Sequence, residues 1–266
     1  MLGTFRQKSR HGTIIFLTGA GVSAESGIPT FRGAEGYWSV GSHNYHPQEM
    51  ATNYAFSKMP WEVWAWYLYR RTICHKAAPN EAHLALVEAE KILGERFLLV
   101  TQNVDGLHLR AGNSPERTFE IHGNADYFRC SAECQNYREF IGARAGDFEK
   151  QQKCSPADME ALRCPHCGDL ARPHVLWFDE SYDEERYRYT SSLQAAQKCS
   201  VLVSMGTSGA TNLPMQMGGI AARKGALLVD INPESNPFSQ MAQSRGGVWL
   251  KSSASKGIAQ LIEALR

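Results

Sequence analysis

Residues 14–38, which read IIFLTGAGVSAESGIPTFRGAEGYW, are the stretch that decides the fold. The first four residues, 14–17, are apolar, too few for a helix and rich in β-branched and aromatic types, which predicts a buried strand. Gly19 and Gly21 follow at once, and glycines there permit a tight turn and let backbone N–H groups approach an anion. Such a turn is by itself as often structural as functional, because Ala24 stands where the GxGxxG motif has its third glycine.

The segment after this turn combines a short helix with a polar loop. Residues 23–26 predict one or two helical turns, which Gly27 and Pro29 end early. The turn would therefore lead into a helix N-terminus, a favourable place for a phosphate. The loop beyond it carries Phe31, which can lie against a flat ring, and Arg32, which can bind a phosphate or carboxylate through two hydrogen bonds.

Composition excludes several classes of function. The 266 residues carry 28 basic and 27 acidic side chains, so no global field attracts nucleic acid or an anionic membrane. No apolar run approaches the roughly 20 residues of a transmembrane helix. We expect no nucleic-acid or membrane partner, a monomer, and a cytoplasmic protein, or one of the mitochondrial matrix if the source is eukaryotic. The basic first dozen residues lack a secretory apolar core and predict a frayed terminus, with a mitochondrial presequence remnant as the alternative.

Strands and helices alternate along most of the chain. Short apolar runs predict strands at residues 14–17, 97–101, 119–123, 201–204, 226–231 and 248–251. Periodicity and capping residues predict helices at 61–76, 79–93, 107–112, 181–198 and 258–265. Residues 39–60 predict a long loop or short helices that can cover a cofactor, and residues 172–180 an extended segment. This alternation is typical of an α/β fold, a parallel sheet with helices on both faces.

Polar or small residues follow several of these strands. Ligands bind at the carboxyl ends of the strands in open α/β sheets, so these residues are candidates for a binding site. They are Gln102, Asn103, Val104 and Asp105, then His122, then Gly206, Thr207 and Ser208, and finally Asn232, Pro233 and Glu234. A lone histidine at a strand end is usually structural, and only its position near residues 102–105 favours a catalytic role for His122.

The cysteines predict a metal site. Cys130 and Cys134, and then Cys164 and Cys167, have the paired spacing of a Cys₄ zinc ribbon. Four thiolates fill the tetrahedral ion, so the zinc would hold the fold and take no part in chemistry. We expect Cys154 to stay unligated. An odd number of clustered cysteines favours a reduced compartment with a metal site over a disulfide framework.

The helix predicted at 61–76 is dense in aromatic residues. Four of the six residues 64–69 are aromatic and cover every face, so some of them line a cavity or an interface. Tyr67 and Arg70 are three residues apart and share a face. The alternative is an ordinary amphipathic helix with a solvated arginine.

In this order, the motifs resemble the catalytic core of the sirtuins, which are NAD-dependent protein-lysine deacylases. The matching segments are GAGVSAESGIPTFRG, QNVD at 102–105, His122-Gly123, the four cysteines, Gly206-Thr207-Ser208 and Asn232-Pro233-Glu234. The resemblance covers roughly residues 12–265. It implies a Rossmann-like NAD domain of residues 1–38, 77–126 and 172–266, a helical insert at 39–76 belonging to a small domain, and an inserted zinc-ribbon domain at 127–171. Acyl-lysine proteins or peptides, the implied partners, would bind in the cleft between the domains.

The resemblance also implies contacts to NAD, residue by residue. The phosphates would be held by Gly19, Ala20, Gly21 and Ser23. The loop that closes over NAD would include Ala24, Phe31 and Arg32, and Trp38 would be a further contact. The nicotinamide and its ribose would be lined by Gln102, Asn103, Val104 and Asp105, with Asn103 counted as catalytic and Asp105 accepting from the carboxamide. Phosphate, adenine and the adenine ribose would meet Gly206, Thr207, Ser208, Asn232, Pro233, Glu234 and Ala254.

His122 would be the general base. As nicotinamide leaves, the acyl oxygen attacks the ribose C1′, and a histidine whose pKa is near neutral can then take a proton from the ribose hydroxyls. The 2′-oxygen attacks the bound imidate, and water completes the reaction to free lysine and acyl-ADP-ribose.

The string YLYRR resembles the YxxR pair of the class III sirtuins, which favour succinyl, malonyl and glutaryl lysine. A guanidinium can bind the acyl carboxylate through two hydrogen bonds, while the Tyr67 phenol adds another. An acetyl group offers no carboxylate, so we expect weaker deacetylation. The resemblance further implies substrate contacts at Val175, Trp177, Phe178 and Glu180. Two departures affect the peptide side and the adenine side: Asp179 replaces the usual glycine, and GATNLP follows Ser208 with one extra residue.

Three other functions remain open from the sequence. A conventional NAD dehydrogenase would transfer a hydride, which a change in the absorbance band of the nicotinamide would reveal. A non-catalytic NAD-sensing or zinc-ribbon module would bind NAD without releasing nicotinamide and would be indifferent to His122→Ala. An ADP-ribosyltransferase would leave labelled product on the protein, because it shares the same C1′ chemistry.

Overall fold

The structure is a computed structural model, which describes residues 2–29, 38–41, 43–135 and 138–266, without the side chains of residues 2 and 38. The strands are β1 (Thr13–Thr18), β2 (Trp38–Val40), β3 (His43–Tyr45), β4 (Phe97–Thr101), β5 (Thr118–Glu120), β6 (Gly123–Cys130), β7 (Glu139–Phe140), β8 (Ala171–Val175), β9 (Cys199–Met205), β10 (Leu227–Ile231) and β11 (Val248–Leu250). The α-helices are α1 (Leu2–Lys8), α2 (Ala20–Ala24), α3 (Pro47–Met50), α4 (Asn53–Lys58), α5 (Pro60–Lys76), α6 (Glu81–Leu93), α7 (Leu107–Ala111), α8 (Pro156–Ala161), α9 (Glu184–Tyr187), α10 (Tyr189–Lys198), α11 (Asn212–Arg223), α12 (Pro237–Ser244) and α13 (Ala254–Leu265). Short 3₁₀ turns lie at Gly94–Arg96, Pro115–Arg117 and Gly142–Arg144.

Within the described residues, six strands form one parallel sheet in the order β11-β10-β9-β1-β4-β5. Counted along the chain this is the 3-2-1-4-5-6 order of dinucleotide-binding sheets, so the predicted α/β fold is confirmed. The order reverses between β1 and β9. The turns after these two strands therefore border the crevice where such sheets bind ligands.

Helices cover both faces of this sheet, as predicted. On one face, Ile14 and Phe16 of β1 pack with α1, α6 and α13. On the other face, Ile15 and Leu17 pack with α10, α11 and α12. All four side chains are fully buried, because successive residues of a strand point to opposite faces and each face is covered.

A second core lies beside the large sheet. It joins the aromatic face of α5 to the three-stranded sheet β7-β6-β8 and to Trp177. Trp64 donates from its indole Nε1 to the carbonyl of Ala171 at 2.9 Å, and Arg71 donates to the Asp126 carboxylate at 3.0 Å. This core holds α5, which carries residues 67 and 70, and it includes Val104, which follows β4 of the large sheet. None of the helices in the described part of the chain is long and apolar enough to cross a membrane.

The N-terminus differs from the frayed segment that its charges predicted. Residues 2–8 form α1, and Phe5 is buried in the core with an exposed fraction of 1%. Arg6 donates from Nε to the carbonyl of Ala264 at 3.1 Å, next to α13. The helix is held by this tertiary packing, which local periodicity does not reveal.

Several predicted boundaries were wrong. The strand predicted at 119–123 ends at Glu120, so His122 lies in the turn before β6. The helix predicted at 181–198 is two helices, since Arg188 adopts a left-handed φ of 55° between them. Residues 38–45 contain the paired strands β2 and β3, which are too short to give a period.

The extended segment predicted at 172–180 is a strand only as far as Val175. Beyond it the chain turns, and the N–H of Glu180 donates to the carbonyl of Trp177 at 3.1 Å. The turn is caused by Glu180, whose carboxylate accepts from the N–H of Trp177 and from the Arg172 guanidinium. An internal ion pair therefore ends the strand.

His174 of β8 lies in strongly basic surroundings. It is buried, stacks on Tyr187 at 5.9 Å, and its Nδ1 has no hydrogen-bond partner among the described residues. Burial, together with four nearby arginines, lowers the pKa of His174 from 6.5 to about 3. The imidazole is consequently neutral in the folded protein over the whole physiological range.

This neutral histidine predicts a component of the acid sensitivity. Between pH 6.5 and about 3 the unfolded chain binds a proton at residue 174 that the folded chain does not, so the free energy of unfolding falls as the pH falls. His174→Phe keeps a flat ring and removes the titration. We expect its unfolding free energy, measured by urea denaturation from pH 6.5 to 4, to fall less steeply than that of the wild type, by up to about 1.4 kcal/mol per pH unit. Parallel profiles would contradict the assignment.

Candidate active site

The turns after β1 and β9 are in direct backbone contact. Gly19 donates its N–H to the carbonyl of Met205 at 3.0 Å, and Gly21 donates to the carbonyl of Gly206 at 2.8 Å. A Cβ on Gly19 would lie 2.8 Å from the Cα of Thr207, and one on Gly21 would lie 2.8 Å from the Cα of Gly206. The glycines are thus needed for this close approach, and their two N–H groups donate across it to main-chain carbonyls.

The helix α2 starts earlier than predicted, at Ala20, and presents Ser23 to the end of β4. Ser23 is buried and its hydroxyl donates to the Asp105 carboxylate at 2.6 Å. Asn103 donates from Nδ2 to the same hydroxyl at 3.0 Å and to the carbonyl of Gly19 at 3.1 Å. The predicted cofactor residues Ser23, Asn103 and Asp105 therefore form one buried network.

Asp105 is the charged member of this network. Its other oxygen accepts from the N–H of Leu107 at 2.9 Å, the first residue of α7. Burial raises the pKa of Asp105 above its ordinary value, while the hydrogen bonds from Ser23 and Leu107 act in the opposite direction. The carboxylate is thus held by neutral donors next to an open pocket, where a substrate donor can also reach it.

That pocket brings the predicted cofactor and substrate residues together. It is lined by Ala20, Ser23, Ile28, Pro29, Tyr67, Arg70, Cys74, Asn103, Val104, Asp105 and Ala125. Tyr67 and Arg70 project from α5 into the same space as Asn103 and Asp105 from the large sheet. The prediction that these two residues share a face and line a cavity is confirmed, and the solvated-arginine alternative is wrong.

Tyr67 and Arg70 bring a phenol and a guanidinium to the pocket. The Tyr67 oxygen accepts from the indole Nε1 of Trp177 at 3.0 Å, so its own O–H points elsewhere as a donor. The Arg70 guanidinium lies 5.4 Å from the centre of the Trp66 ring. Burial raises the pKa of Tyr67 and lowers that of Arg70, so both groups are desolvated. A carboxylate between them would meet a charged donor and a neutral donor in a partly dry site.

His122 has both ring nitrogens engaged. Its Nδ1 is 2.9 Å from the carbonyl of Gln102, which accepts only, so the proton is on Nδ1 and the free lone pair is on Nε2. Nε2 is 2.7 Å from the hydroxyl of Tyr182. Burial lowers the pKa of His122 from 6.5 to about 4, while the hydrogen bond to Gln102 acts to raise it. The imidazole is neutral at pH 7 and carries an acceptor nitrogen, which suits a general base.

Gln102 connects this histidine to the other turn of the crevice. Its amide donates from Nε2 to the Thr207 hydroxyl at 3.0 Å, and its Oε1 accepts from the Thr211 hydroxyl at 2.7 Å. Asn232 donates to the carbonyl of Thr207 at 2.9 Å. The predicted residues of the β4, β9 and β10 ends are thereby linked in one hydrogen-bonded group.

The remaining adenine-side residues differ in exposure. Ser208, Pro233 and Glu234 are exposed at the crevice, and Gly206 is half-buried. Ala254 is buried in the core at the start of α13, so its contact with a ligand is the least accessible of the set. Phe31 and Arg32 lie outside the described residues, and Trp38 is described only as the first residue of β2.

The predicted peptide residues lie along the turn after β8. Val175 and Trp177 are buried, whereas Phe178 is 58% exposed. Phe178 donates its N–H to the carbonyl of Ala51 at 2.9 Å. The Glu180 carboxylate is used internally by Arg172 and Trp177, so this residue shapes the turn and presents no free oxygen there.

Asp179, the departure from glycine, has a structural role. Its two oxygens accept from the N–H groups of Asn53 at 2.7 Å and Tyr54 at 3.0 Å, at the start of α4. A carboxylate is favourable at a helix N-terminus. The substitution therefore ties the turn after β8 to α4.

The four predicted metal ligands converge. The sulfur atoms of Cys130, Cys134, Cys164 and Cys167 all lie within 4.8 Å of one another, and two pairs are 3.5 Å apart. Four sulfurs around a tetrahedral zinc are separated by about 3.8 Å, so the group can hold one structural zinc ion. Cys154 is outside the cluster and donates to the carbonyl of Trp61 at 3.5 Å.

Sequence reasoning missed several site residues. Ile28, Cys74 and Ala125 line the pocket, and Tyr182 contacts the histidine. Ile28 lies in the motif at 19–33 but was not singled out there, and the other three lie outside the motifs. Tyr182 is 60 residues from His122 in the chain, and only the tertiary fold brings them together. No local signal could have identified it.

Comparisons with known proteins give a consistent result. The model of the Sir2 family matches residues 19–212. A protein of Leptospira interrogans named NAD-dependent protein deacylase is 42% identical over 234 residues, which are 88% of this chain and 87% of that protein. A protein of the same name from Aquifex aeolicus is 37% identical over 95% of both chains.

Solved structures agree with these relatives. A Sir2 homologue in complex with NAD has a TM-score of 0.82 and 31% identity, covering 99% of this chain and 93% of that one. A further Sir2 homologue, bound to 2′-O-acetyl ADP ribose, has a TM-score of 0.80 and 33% identity, covering 99% of this chain and 96% of that one.

The cysteine cluster predicts a clear difference between two thiols. Cys164→Ser removes a ligand and should abolish the binding of about one zinc ion per chain, lowering thermal stability because the ion joins the end of β6 to the second pair of cysteines. Cys154→Ser should keep the zinc. Elemental analysis of gel-filtered protein, with thermal unfolding, measures both. Equal zinc content in the two variants would contradict the assignment.

Proposed function

The chain belongs to the Sir2 family of NAD-dependent protein deacylases, and on that basis we propose that it prefers lysines bearing acidic acyl groups, with His122 as general base. The acyl groups are succinyl, malonyl and glutaryl, and acetyl is removed less well. The observation that carries this proposal is the pocket that holds Tyr67 and Arg70 together with Asn103 and Asp105.

The selectivity follows from the charge in that pocket. Burial lowers the pKa of the Arg70 guanidinium, and the Asp105 carboxylate lines the same pocket. An acyl carboxylate beside Arg70 would restore part of the interaction that burial removes. An acetyl group would leave the desolvated guanidinium without that partner, which costs roughly 2 kcal/mol relative to succinyl.

The base follows from the hydrogen bonds of His122. The carbonyl of Gln102 holds the proton on Nδ1 and leaves Nε2 as the acceptor. NAD would supply the nicotinamide leaving group and the ribose carbon that the acyl oxygen attacks. His122 Nε2 would then accept the proton of a ribose hydroxyl, so that the 2′-oxygen can attack the imidate. The 2′-O-acetyl ADP ribose bound to a Sir2 homologue is a product of this type.

The network of Ser23, Asn103 and Asp105 would position the nicotinamide end of NAD. Asp105 faces the pocket with a desolvated carboxylate and can accept from a carboxamide N–H. Asn103 is held by Ser23 and by the carbonyl of Gly19, which ties it to the turn after β1. These residues bind and orient, and they leave proton transfer to His122.

The first test of selectivity changes Arg70. Arg70→Met should lower kcat/KM for a succinyl-lysine peptide about 30-fold and leave that for the matched acetyl-lysine peptide nearly unchanged, because only succinyl uses the guanidinium. Release of nicotinamide measures both reactions.

Arg70→Lys is the matched control for this test. It keeps a charge but loses the forked geometry, and should retain part of the succinyl preference. Equal turnover of both peptides by the wild type would contradict the role of Arg70 and Tyr67 while leaving the deacylase intact.

The second test separates the two halves of the reaction. His122→Ala should lower the rate of lysine release at least about 100-fold, since general-base catalysis is worth that much or more. Exchange of labelled nicotinamide into NAD should persist, because nicotinamide departs before the base is needed. His11→Ala, at an exposed histidine, is the control. Undiminished lysine release by His122→Ala would contradict the assignment of the base.

A further inference from the structure

We propose that Tyr182 is a displaceable cap on the general base: its hydroxyl occupies His122 Nε2 in the substrate-free enzyme, and a ribose hydroxyl replaces it when the site is loaded. This inference rests on the proposed role of His122. It assigns a positioning function to a residue outside all the motifs that the sequence provides.

The contact uses the nitrogen that the reaction needs. The His122 ring donates from Nδ1 to the carbonyl of Gln102, a backbone group that follows β4 and cannot turn away. The only lone pair of the neutral imidazole is therefore on Nε2, and the Tyr182 hydroxyl lies 2.7 Å from it. The Tyr182 phenol and a ribose hydroxyl would therefore compete for this one acceptor, because both donate to Nε2.

The backbone on both sides of Tyr182 is anchored by hydrogen bonds. It lies in the irregular segment between β8 and α9. On one side Glu180 is held by Arg172, and on the other side Asp183 accepts from the N–H of Arg186 at 2.6 Å and starts α9. A rotation about the side-chain bonds of Tyr182 can uncover Nε2 without moving either anchor.

The ring of Tyr182 also packs against a second aromatic ring. Tyr182 stacks on Tyr189 with 6.1 Å between ring centres and 23° between planes, and Tyr189 is placed by α10. The Tyr189 hydroxyl donates to Gln216 at 3.4 Å and does not contact the base. Tyr189 therefore supports the ring of Tyr182 and provides a matched control position.

The cap makes a specific kinetic prediction. Substrate loading of the wild type breaks the Tyr182–His122 hydrogen bond, whereas loading of Tyr182→Phe breaks none. Tyr182→Phe should therefore lower KM for NAD about fivefold, the equivalent of one net hydrogen bond, with kcat for lysine release unchanged. Exchange of labelled nicotinamide at saturating NAD should also be unchanged, and Tyr189→Phe should resemble the wild type in all three values.

Two kinetic results would overturn the cap. A loss of kcat of about 100-fold in folded Tyr182→Phe would mean that the phenol carries the proton itself. If KM and kcat were both unchanged, no ribose hydroxyl would compete with the Tyr182 hydroxyl for Nε2.

A spectroscopic measurement tests the cap independently of turnover. In histidine-labelled protein, the ¹⁵N resonance of His122 Nε2 should move on Tyr182→Phe in the free enzyme, and in the wild type on addition of NAD with an acyl-lysine peptide. The proposal would be overturned if the Nε2 resonance stayed in place on either the substitution or the addition of NAD and peptide. Absence of nicotinamide release from any acyl peptide would instead refute the proposed function, and the resonance would still decide whether Tyr182 caps the histidine.

Discussion

The backbone contact between the turns after β1 and β9 is the constraint on which the site depends. Gly19 and Gly21 pack against Gly206 so closely that no side chain fits between them, and two hydrogen bonds join the turns. This contact sets the start of α2 and thereby the position of Ser23, which in turn holds Asn103 and Asp105. The glycines thus build the crevice by letting two pieces of main chain touch.

Sequence reasoning succeeded where one local cause dominates. The continuous apolar runs of β1, β4, β9 and β10 have no explanation other than strands buried on both faces, and the cysteine spacing fits little besides a metal. Sequence reasoning failed where a contact between residues far apart in the chain determines whether an element forms or where it ends. The helix α1 forms because Phe5 enters the core, and β8 ends at Val175 because Glu180 bonds back to Trp177 and Arg172. Tyr67 and Arg70 could be found from their spacing on a helix, whereas Tyr182 could not, because its only significance is a contact across the fold.

The carboxylates of Glu180, which is partly buried, and Asp105, which is buried, have different surroundings and opposite pKa shifts. Burial would raise the pKa of Glu180, but the hydrogen bonds and charge of Arg172 outweigh it and lower the pKa, so the group is a permanent anion with its oxygens occupied. Asp105 is buried among neutral donors, and burial raises its pKa. The first arrangement suits a structural ion pair and the second a group that exchanges partners with a ligand. The same residue chemistry therefore serves an internal ion pair at Glu180 and, in the proposed function, contact with a ligand at Asp105.

The hydrogen bonds of Asp179 to the first turn of α4 have a mechanical meaning. They join the turn after β8 to a helix that is directly followed by α5, the helix that carries Tyr67 and Arg70. Glu180 anchors the same turn to β8, and Tyr182 lies only three residues beyond Asp179. A movement of α4 and α5 would consequently act on the segment beside His122 through these hydrogen bonds. In the proposed function, Asp179 would therefore couple the helix that contacts the acyl group to the segment that holds Tyr182 against His122.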